Sequence, residues 1–221
     1  YGGTLSWLAA DGTDEEQTDG IGATEAIEQL ENFSETGQNF FLAVGMYRPH
    51  TPFVAPKKYF DMYDRNSIEI PYSGSYDEYL KTIPKIAASS IRWKKDQIKL
   101  NLKSNKELAQ EIKEAYFATT TFVDAQIGRI LKKLKQTGLD KNTIVVFTSD
   151  HGYHLGEHGH WQKQTLFDNS TRVPLIFSGP GIKSNVRIES SPVELIDIYP
   201  TLMDLTGIES PDHVVGKSLK P

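Results

Sequence analysis

The chain has no cysteine among its 221 residues. Disulfides, zinc–thiolate sites and cysteine nucleophiles within it are excluded, while the redox compartment is left open. It has no long apolar run. None approaches the ~18 residues needed to cross a bilayer, so no membrane span is expected. Positive charge is in the minority. A formal net charge of −5 argues against a nucleic-acid partner. No basic run with interleaved aromatics occurs, apart from Arg92-Trp93-Lys94-Lys95, which reads as a solvated surface element. No signal-peptide pattern follows Tyr1, and without an initiating Met the chain is expected to be processed or a fragment. Internal repeats and low-complexity segments are absent too.

What is present suits one α/β domain or part of a larger one. Hydrophobic residues make up 38%, enough for a core, and charged residues 24%, ordinary for a soluble protein. Asp11-Gly12-Thr13 reads as a turn. Ile21, Ala23, Ile27 and Leu30 predict a helix from about Gly22 to Phe33, ended by Gly37. Phe40 to Met46 is a continuous apolar run of strand length, the pattern of a strand buried on both faces. Residues 49 to 105, with prolines at 49, 52, 56, 71 and 84, read as an irregular surface excursion with short helices at most. Leu108, Ile112, Tyr116, Thr119, Val123, Ile127, Ile130 and Leu134 fall on one helical face between about Lys106 and Thr137, with Gly138 as the stop. Buried strands are expected at Ile144–Phe147 and Val173–Phe177, the second closed by Gly179-Pro180-Gly181. A last helix is expected from Val193 to Leu205, ending near Gly207. Strands alternating with helices imply a mostly parallel sheet sandwiched by helices.

The chemistry concentrates between Thr148 and Lys163. That span holds four of the six histidines. In an open parallel sheet, ligands bind beyond the carboxyl ends of the strands, where Asp150 and His151 fall. Gly152 would permit the sharp turn that lets both hold one cation. The carboxylate suits Ca²⁺ or Mg²⁺; the imidazole keeps Zn²⁺ or Mn²⁺ open. On these residues alone, a plain turn cap at Asp150 with an exposed His151 is an equal reading.

The longer pattern Asp150-His151-Gly152, Leu155-Gly156-Glu157-His158-Gly159, Trp161 and Lys163 resembles the sulfatase family, nearest its iduronate-2-sulfatase-like branch. Phe40–Gly45 with Arg48-Pro49-His50 and Pro52-Phe53, Tyr116-Phe117-Ala118 with Asp124, Gln126, Gly128 and Arg129, and Phe167-Asp168 with Arg172–Ile176 are similar in the same order. The resemblance implies an alkaline-phosphatase-like α/β fold and a sulfuric ester hydrolase acting on a sulfated saccharide. It implies Asp150 and His151 as metal ligands for Ca²⁺ or Mg²⁺, His50 as proton donor at the leaving oxygen, and Lys163 as the cation facing the sulfate. A sulfate ester gathers negative charge on its leaving oxygen as the S–O bond breaks, so these roles are chemically coherent. The resemblance further implies an extracytoplasmic location, since most sulfated glycans lie there.

The chain departs from the family in two respects, both set by the family's own pattern. Its formylglycine nucleophile arises from a Cys/Ser-x-Pro/Ala-x-Arg motif that is absent here, as is the family's first metal-binding Asp-Asp pair. Residues 1–221 are therefore expected to be the later portion of a catalytic domain, with partners in a missing N-terminal half. The chain alone is expected to be inactive and to bind metal weakly.

Around the core motif the assignments are plainer. Tyr153, His154 and Trp161 are candidates to line a sugar-sized pocket, with packing at least an equal reading for Trp161 and surface placement an equal one for His154. His158 is expected to orient the loop through a structural hydrogen bond, and Glu157 to brace it. His160 could face substrate or surface. Asp124 reads as structural, and His213 has no role. The sequons at Asn32 and Asn169 are discounted as chance matches. Two other functions stand beside the sulfatase reading: a phosphate or phosphonate monoester hydrolase of the same superfamily, and a non-catalytic sugar- or anion-binding protein.

Overall fold

A helix of 31 residues organises the larger part of the molecule. The computed structural model describes residues 5–71, 76–91, 102, 104–184, 186 and 191–220. The segment Arg92-Trp93-Lys94-Lys95 lies outside the described residues. The chain divides into two compact units, Tyr1–Ile182 and Lys183–Pro221.

In chain order the first unit contains β1 (Trp7–Ala10), α1 (Thr18–Thr36), β2 (Phe53–Pro56), α2 (Lys57–Phe60), α3 (Tyr76–Thr82), α4 (Lys85–Ser90) and α5 (Lys106–Gln136). Then follow β3 (Val145–Thr148), β4 (His154–Leu155), β5 (Trp161–Gln162), α6 (Asp168–Thr171) and β6 (Leu175–Ser178). Helix α5 is the long one. The Asn105 side chain caps it by accepting from Leu108 N at 3.1 Å. Glu107 lies in its first turn and Lys133 and Lys135 in its last, complementing the helix dipole. Gly138 beyond it adopts φ 75°, a conformation glycine takes without strain. Its inward stripe includes Ala109, Ile112, Ala115, Ala118 and Phe122, all buried. The alanines remove bulk, so α5 packs closely against β2, whose Phe53 and Ala55 are also fully buried.

Strands β1 and β2 run parallel, from Trp7 opposite Phe53 to Ala10 opposite Pro56. Neither was expected, because the prolines around β2 read as loop. Pro56 ends the strand, where its missing N–H costs no ladder bond. The mostly parallel sheet implied by the sequence is represented here by this pair. Among the described residues, β3–β6 and β4–β5 are antiparallel.

The run Phe40–Met46 does not form the expected doubly buried strand. No ladder is assigned to residues 37–46, and Phe41 is 84% exposed. Its composition calls for cover on both faces, but among the described residues no strand lies alongside it. Phe40 instead stacks on Phe33 of α1, with ring centroids 4.5 Å apart. Strand β3 is likewise covered only in part, with Phe147 40% exposed, rather than buried as expected.

In the second unit, a 3₁₀ turn Leu195–Asp197 leads into α7 (Ile198–Thr206), and Gly207 closes it at φ 71°. The Asp197 carboxylate accepts from Glu194 N and Lys217 N, both at 2.9 Å. Asp204 accepts from Ser218 Oγ at 2.7 Å and Lys220 Nζ at 3.0 Å. These bonds hold the C-terminal segment on the helix.

The α5 packing is testable by urea denaturation. Ile112→Ala, at a fully buried position, is expected to lose about 2–5 kcal/mol. Leu131→Ala, on the exposed face, is expected to change stability by less than about 0.5 kcal/mol.

Candidate active site

Strand β3 delivers Ser149, Asp150 and His151 to its carboxyl end. The Asp150 side chain is 82% exposed, and its Oδ1 accepts from His151 N at 3.0 Å. Ser149 Oγ donates to the His151 carbonyl at 3.0 Å. The ring nitrogen Nδ1 of His151 lies 2.8 Å from the Gly152 carbonyl. A carbonyl oxygen only accepts, so Nδ1 carries the proton and Nε2 presents a lone pair. That lone pair faces Lys163 Nζ at 2.8 Å, with Asp150 Oδ2 at 3.3 Å. Lys163 follows directly on β5, the return strand of the β4–β5 hairpin. The structure thus joins three of the sequence-predicted residues, Asp150, His151 and Lys163.

Gly152 is needed for a different reason than expected. It is not a left-handed turn residue. Its N–H donates to the Ser170 carbonyl at 2.9 Å, and a Cβ there would sit 2.1 Å from the Asn169 carbonyl oxygen. Close approach of two backbones demands the glycine.

The hairpin pairs His154 with Gln162 and Leu155 with Trp161, all four buried. Glu157 Oε2 accepts from Leu155 N at 2.5 Å, a brace across the hairpin tip. Among the described residues, His158 meets the tip's neighbours by ring stacking. Its ring lies 4.8 Å from Tyr79 and 5.1 Å from Phe167.

Of the three candidates for a sugar pocket, Trp161 follows its packing reading, and Tyr153 and His154 face inward as well. Trp161 is 2% exposed within the main core. Tyr153 stacks on Tyr116 at 5.3 Å and meets Phe53 at 6.1 Å, edge to face. Burial pushes the Tyr153 phenol well above its usual range. His154 is fully buried, its Nε2 lies 2.8 Å from Thr165 Oγ1, and the ring of buried His160 meets it at 4.9 Å. Burial first, and then the nearby His158, push His154 down to about 4. The four paired residues of the hairpin are buried on both of its faces.

His50 sits in a turn held from α1. The buried Asp19 carboxylate accepts from Tyr47 N at 2.7 Å and Arg48 N at 2.8 Å. Arg48 then clamps the turn, donating Nε to the Val54 carbonyl at 2.9 Å and Nη1 to the His50 carbonyl at 3.0 Å. His50 Nδ1 lies 2.7 Å from the Thr51 carbonyl, so Nε2 is the nitrogen left for proton exchange. Among the described residues no hydrogen bond or ion pair links His50 to Asp150, His151 or Lys163. The link is the Phe53–Tyr153 ring contact. Asp124 is exposed on α5, and His213 is exposed in the second unit.

Asp19, Thr165 and Ser170 are buried hydrogen-bonding partners of these segments that the sequence reading missed. Asp19 lies in the first turn of a helix, an ordinary place for an acid, and nothing in the sequence marks its partners at 47 and 48. Among the described residues no group of three or more His, Cys, Asp or Glu side chains could hold a metal ion. No described helix is long and apolar enough to cross a membrane.

The architecture is that of the alkaline-phosphatase-like hydrolases. A phosphonate monoester hydrolase from Silicibacter pomeroyi superposes with a TM-score of 0.81 and 32% identity, over 95% of this chain and 42% of that one. A protein solved in complex with its substrate D-glucosamine-2-N,6-O-disulfate gives a TM-score of 0.70 and 25% identity, over 92% of this chain and 51% of the other. Within that class the sulfatase family model matches residues 6–208, and the chain belongs to the sulfatase family. A sulfatase from Formosa agariphila is 38% identical over 86% of this chain, and human iduronate 2-sulfatase 32% identical over 85%. The chain spans 37% and 39% of those two relatives, well under half of either.

Three outcomes are expected in unfolding experiments. Gly152→Ala should destabilise the chain by about 1–3 kcal/mol through overpacking. Gly128→Ala on α5, where a Cβ meets nothing within 4 Å, should be neutral or stabilising. Neutral His154 is favoured in the folded state. Its contribution is whole above the ordinary histidine value of 6.5, is lost progressively as pH falls to about 4, and is level below. Unfolding midpoints measured from pH 8 to 4 should show that slope, and a His154→Gln variant should lose it.

Proposed function

We propose that this chain carries the anion-binding arm and two metal ligands of a sulfuric ester hydrolase acting on a sulfated saccharide. The convergence of Lys163 Nζ, His151 Nε2 and the Asp150 carboxylate at the end of β3 supports this reading most directly. The exposed Asp150 carboxylate and the Nε2 lone pair of His151 are suitable donors for Ca²⁺ or Mg²⁺. Bound there, the ion would stabilise negative charge on the sulfate. Nε2 has one lone pair, so it serves either the Lys163 ammonium or a cation. Lys163 is therefore free to reach an anion when His151 acts as a ligand. Lys163 then opposes the charge of the sulfate group, and His50 protonates the leaving oxygen through Nε2.

The remaining metal ligands and the formylglycine nucleophile would come from residues outside this chain, in the N-terminal half of the domain. A 2-O-sulfated uronate is the finer substrate reading, supported by the likeness to human iduronate 2-sulfatase. An extracytoplasmic site of action follows from such a substrate. A phosphonate or phosphate monoester hydrolase is the second reading, favoured by the superposition on the Silicibacter enzyme. A Cys/Ser-x-Pro/Ala-x-Arg motif encoded upstream supports the sulfatase. A lone Thr or Ser nucleophile there supports the second reading.

The test is turnover of a sulfated-saccharide panel by the full-length gene product. Lys163→Ala and His50→Ala are each expected to lower turnover at least about tenfold, or ~1.4 kcal/mol of barrier. The assignment fails if neither does. By calorimetry, the 221-residue chain is expected to bind Ca²⁺ more weakly than micromolar, because tight sites take ~6–8 oxygens. Micromolar or tighter binding contradicts the split site.

A further inference from the structure

We infer that a buried chain of hydrogen bonds behind the site, from His154 through Thr165 to Ser170, positions Lys163 against His151. The inference rests on the reading of Lys163 as the anion-binding residue.

The chain of bonds is continuous. His154 Nε2 lies 2.8 Å from Thr165 Oγ1, and Thr165 Oγ1 donates to Ser170 Oγ at 3.0 Å. The Thr165 proton goes to Ser170, so the His154 bond is Nε2–H donating to Thr165. All three side chains are buried. In that setting, a lost partner leaves an unsatisfied polar group that water does not reach.

The same helix α6 receives both limbs of the site. Thr165, two residues beyond Lys163, reaches Ser170 through its side chain. Gly152, next to His151, reaches the carbonyl of the same Ser170 through its N–H at 2.9 Å. Ser170 is therefore the common reference for the two residues that meet at 2.8 Å.

The backbone around Lys163 points the same way. Gln162 and Gln164, on either side of it, hold φ of 74° and 73°. Two left-handed non-glycine residues flanking one lysine are costly and persist only where the surroundings dictate them. The β4–β5 ladder sets Gln162, opposite His154. The Thr165 bonds set the residue after Gln164. The lysine between them is held in place from both ends.

The test uses the 221-residue chain labelled with ¹⁵N-histidine and read without added metal, together with calorimetric titration of inorganic sulfate in millimolar Ca²⁺, so that His151 releases Lys163. Lys163→Ala supplies the His151 Nε2 resonance in the absence of its lysine partner. Thr165→Val is expected to move that resonance most of the way to the Lys163→Ala value and to weaken sulfate binding at least tenfold. Thr165→Ser, which keeps the hydroxyl, is expected to restore both. A Thr165→Val chain with an unmoved His151 resonance and a sulfate affinity within twofold, whatever its unfolding midpoint, overturns the inference. If Thr165→Val does not fold, Ser170→Ala decides on the same criteria. If the parent chain binds no sulfate in millimolar Ca²⁺, the anion-binding reading fails, while the His151 resonance still decides the positioning role.

Discussion

Three rings hold the candidate site to the rest of the molecule. Phe53 of β2, Tyr116 of α5 and Tyr153 of the loop after β3 meet pairwise, with centroids 5.7, 5.3 and 6.1 Å apart. Each pair adds about 0.5–1.5 kcal/mol beyond the area it buries. Phe53 follows His50 by three residues, and Tyr153 follows His151 by two. The two halves of the site lie far apart in sequence, and this junction on one helix is their shared footing. The fully buried alanines of α5 make it possible, because they let β2 lie close enough for Phe53 to reach Tyr116.

From that junction outward, main-chain carbonyls control the chemistry. His50 and His151 each direct Nδ1 at the carbonyl of the next residue, at 2.7 and 2.8 Å. Each ring is fixed in one tautomer, with Nε2 turned to the work. On the proposed reading, His151 then supplies an acceptor to a cation or to Lys163, and His50 supplies a position that gains and gives a proton. The third imidazole, that of the buried His154, is different. Burial keeps it neutral to about 4, which suits a residue that holds structure and is never asked to change charge near neutrality.

Much of this was legible in the sequence, for physical reasons that differ by region. Helix α5 is long, so its apolar period repeats enough times to fix both face and ends. Gly138 and Gly207 stop helices where expected because each takes a positive φ. The loop from Asp150 to Lys163 carries a dense motif, and the meeting of Asp150, His151 and Lys163 follows it. Strands β1 and β2 were not legible: four residues each are too few for periodicity, and β2 is bracketed by prolines. The run Phe40–Met46 misled because apolar composition reports a need for cover, not the presence of a neighbouring strand. Tyr153 and His154 misled because polar and aromatic groups beside a motif look like ligand contacts, while their burial turns them inward; for Trp161 the packing reading was the right one. Asp19 and Ser170 were invisible because their partners are backbone groups, which no residue type announces.

The central claim is that Lys163 leaves His151 for an anion when His151 and Asp150 hold a cation. A crystal structure of the full-length gene product, grown with Ca²⁺ and inorganic sulfate, tests it most directly. The account predicts a cation on the Asp150 carboxylate and His151 Nε2, with sulfate oxygens within hydrogen-bond reach of Lys163 Nζ and His50 Nε2. A structure in which Lys163 stays on His151 while cation and sulfate bind elsewhere would contradict it.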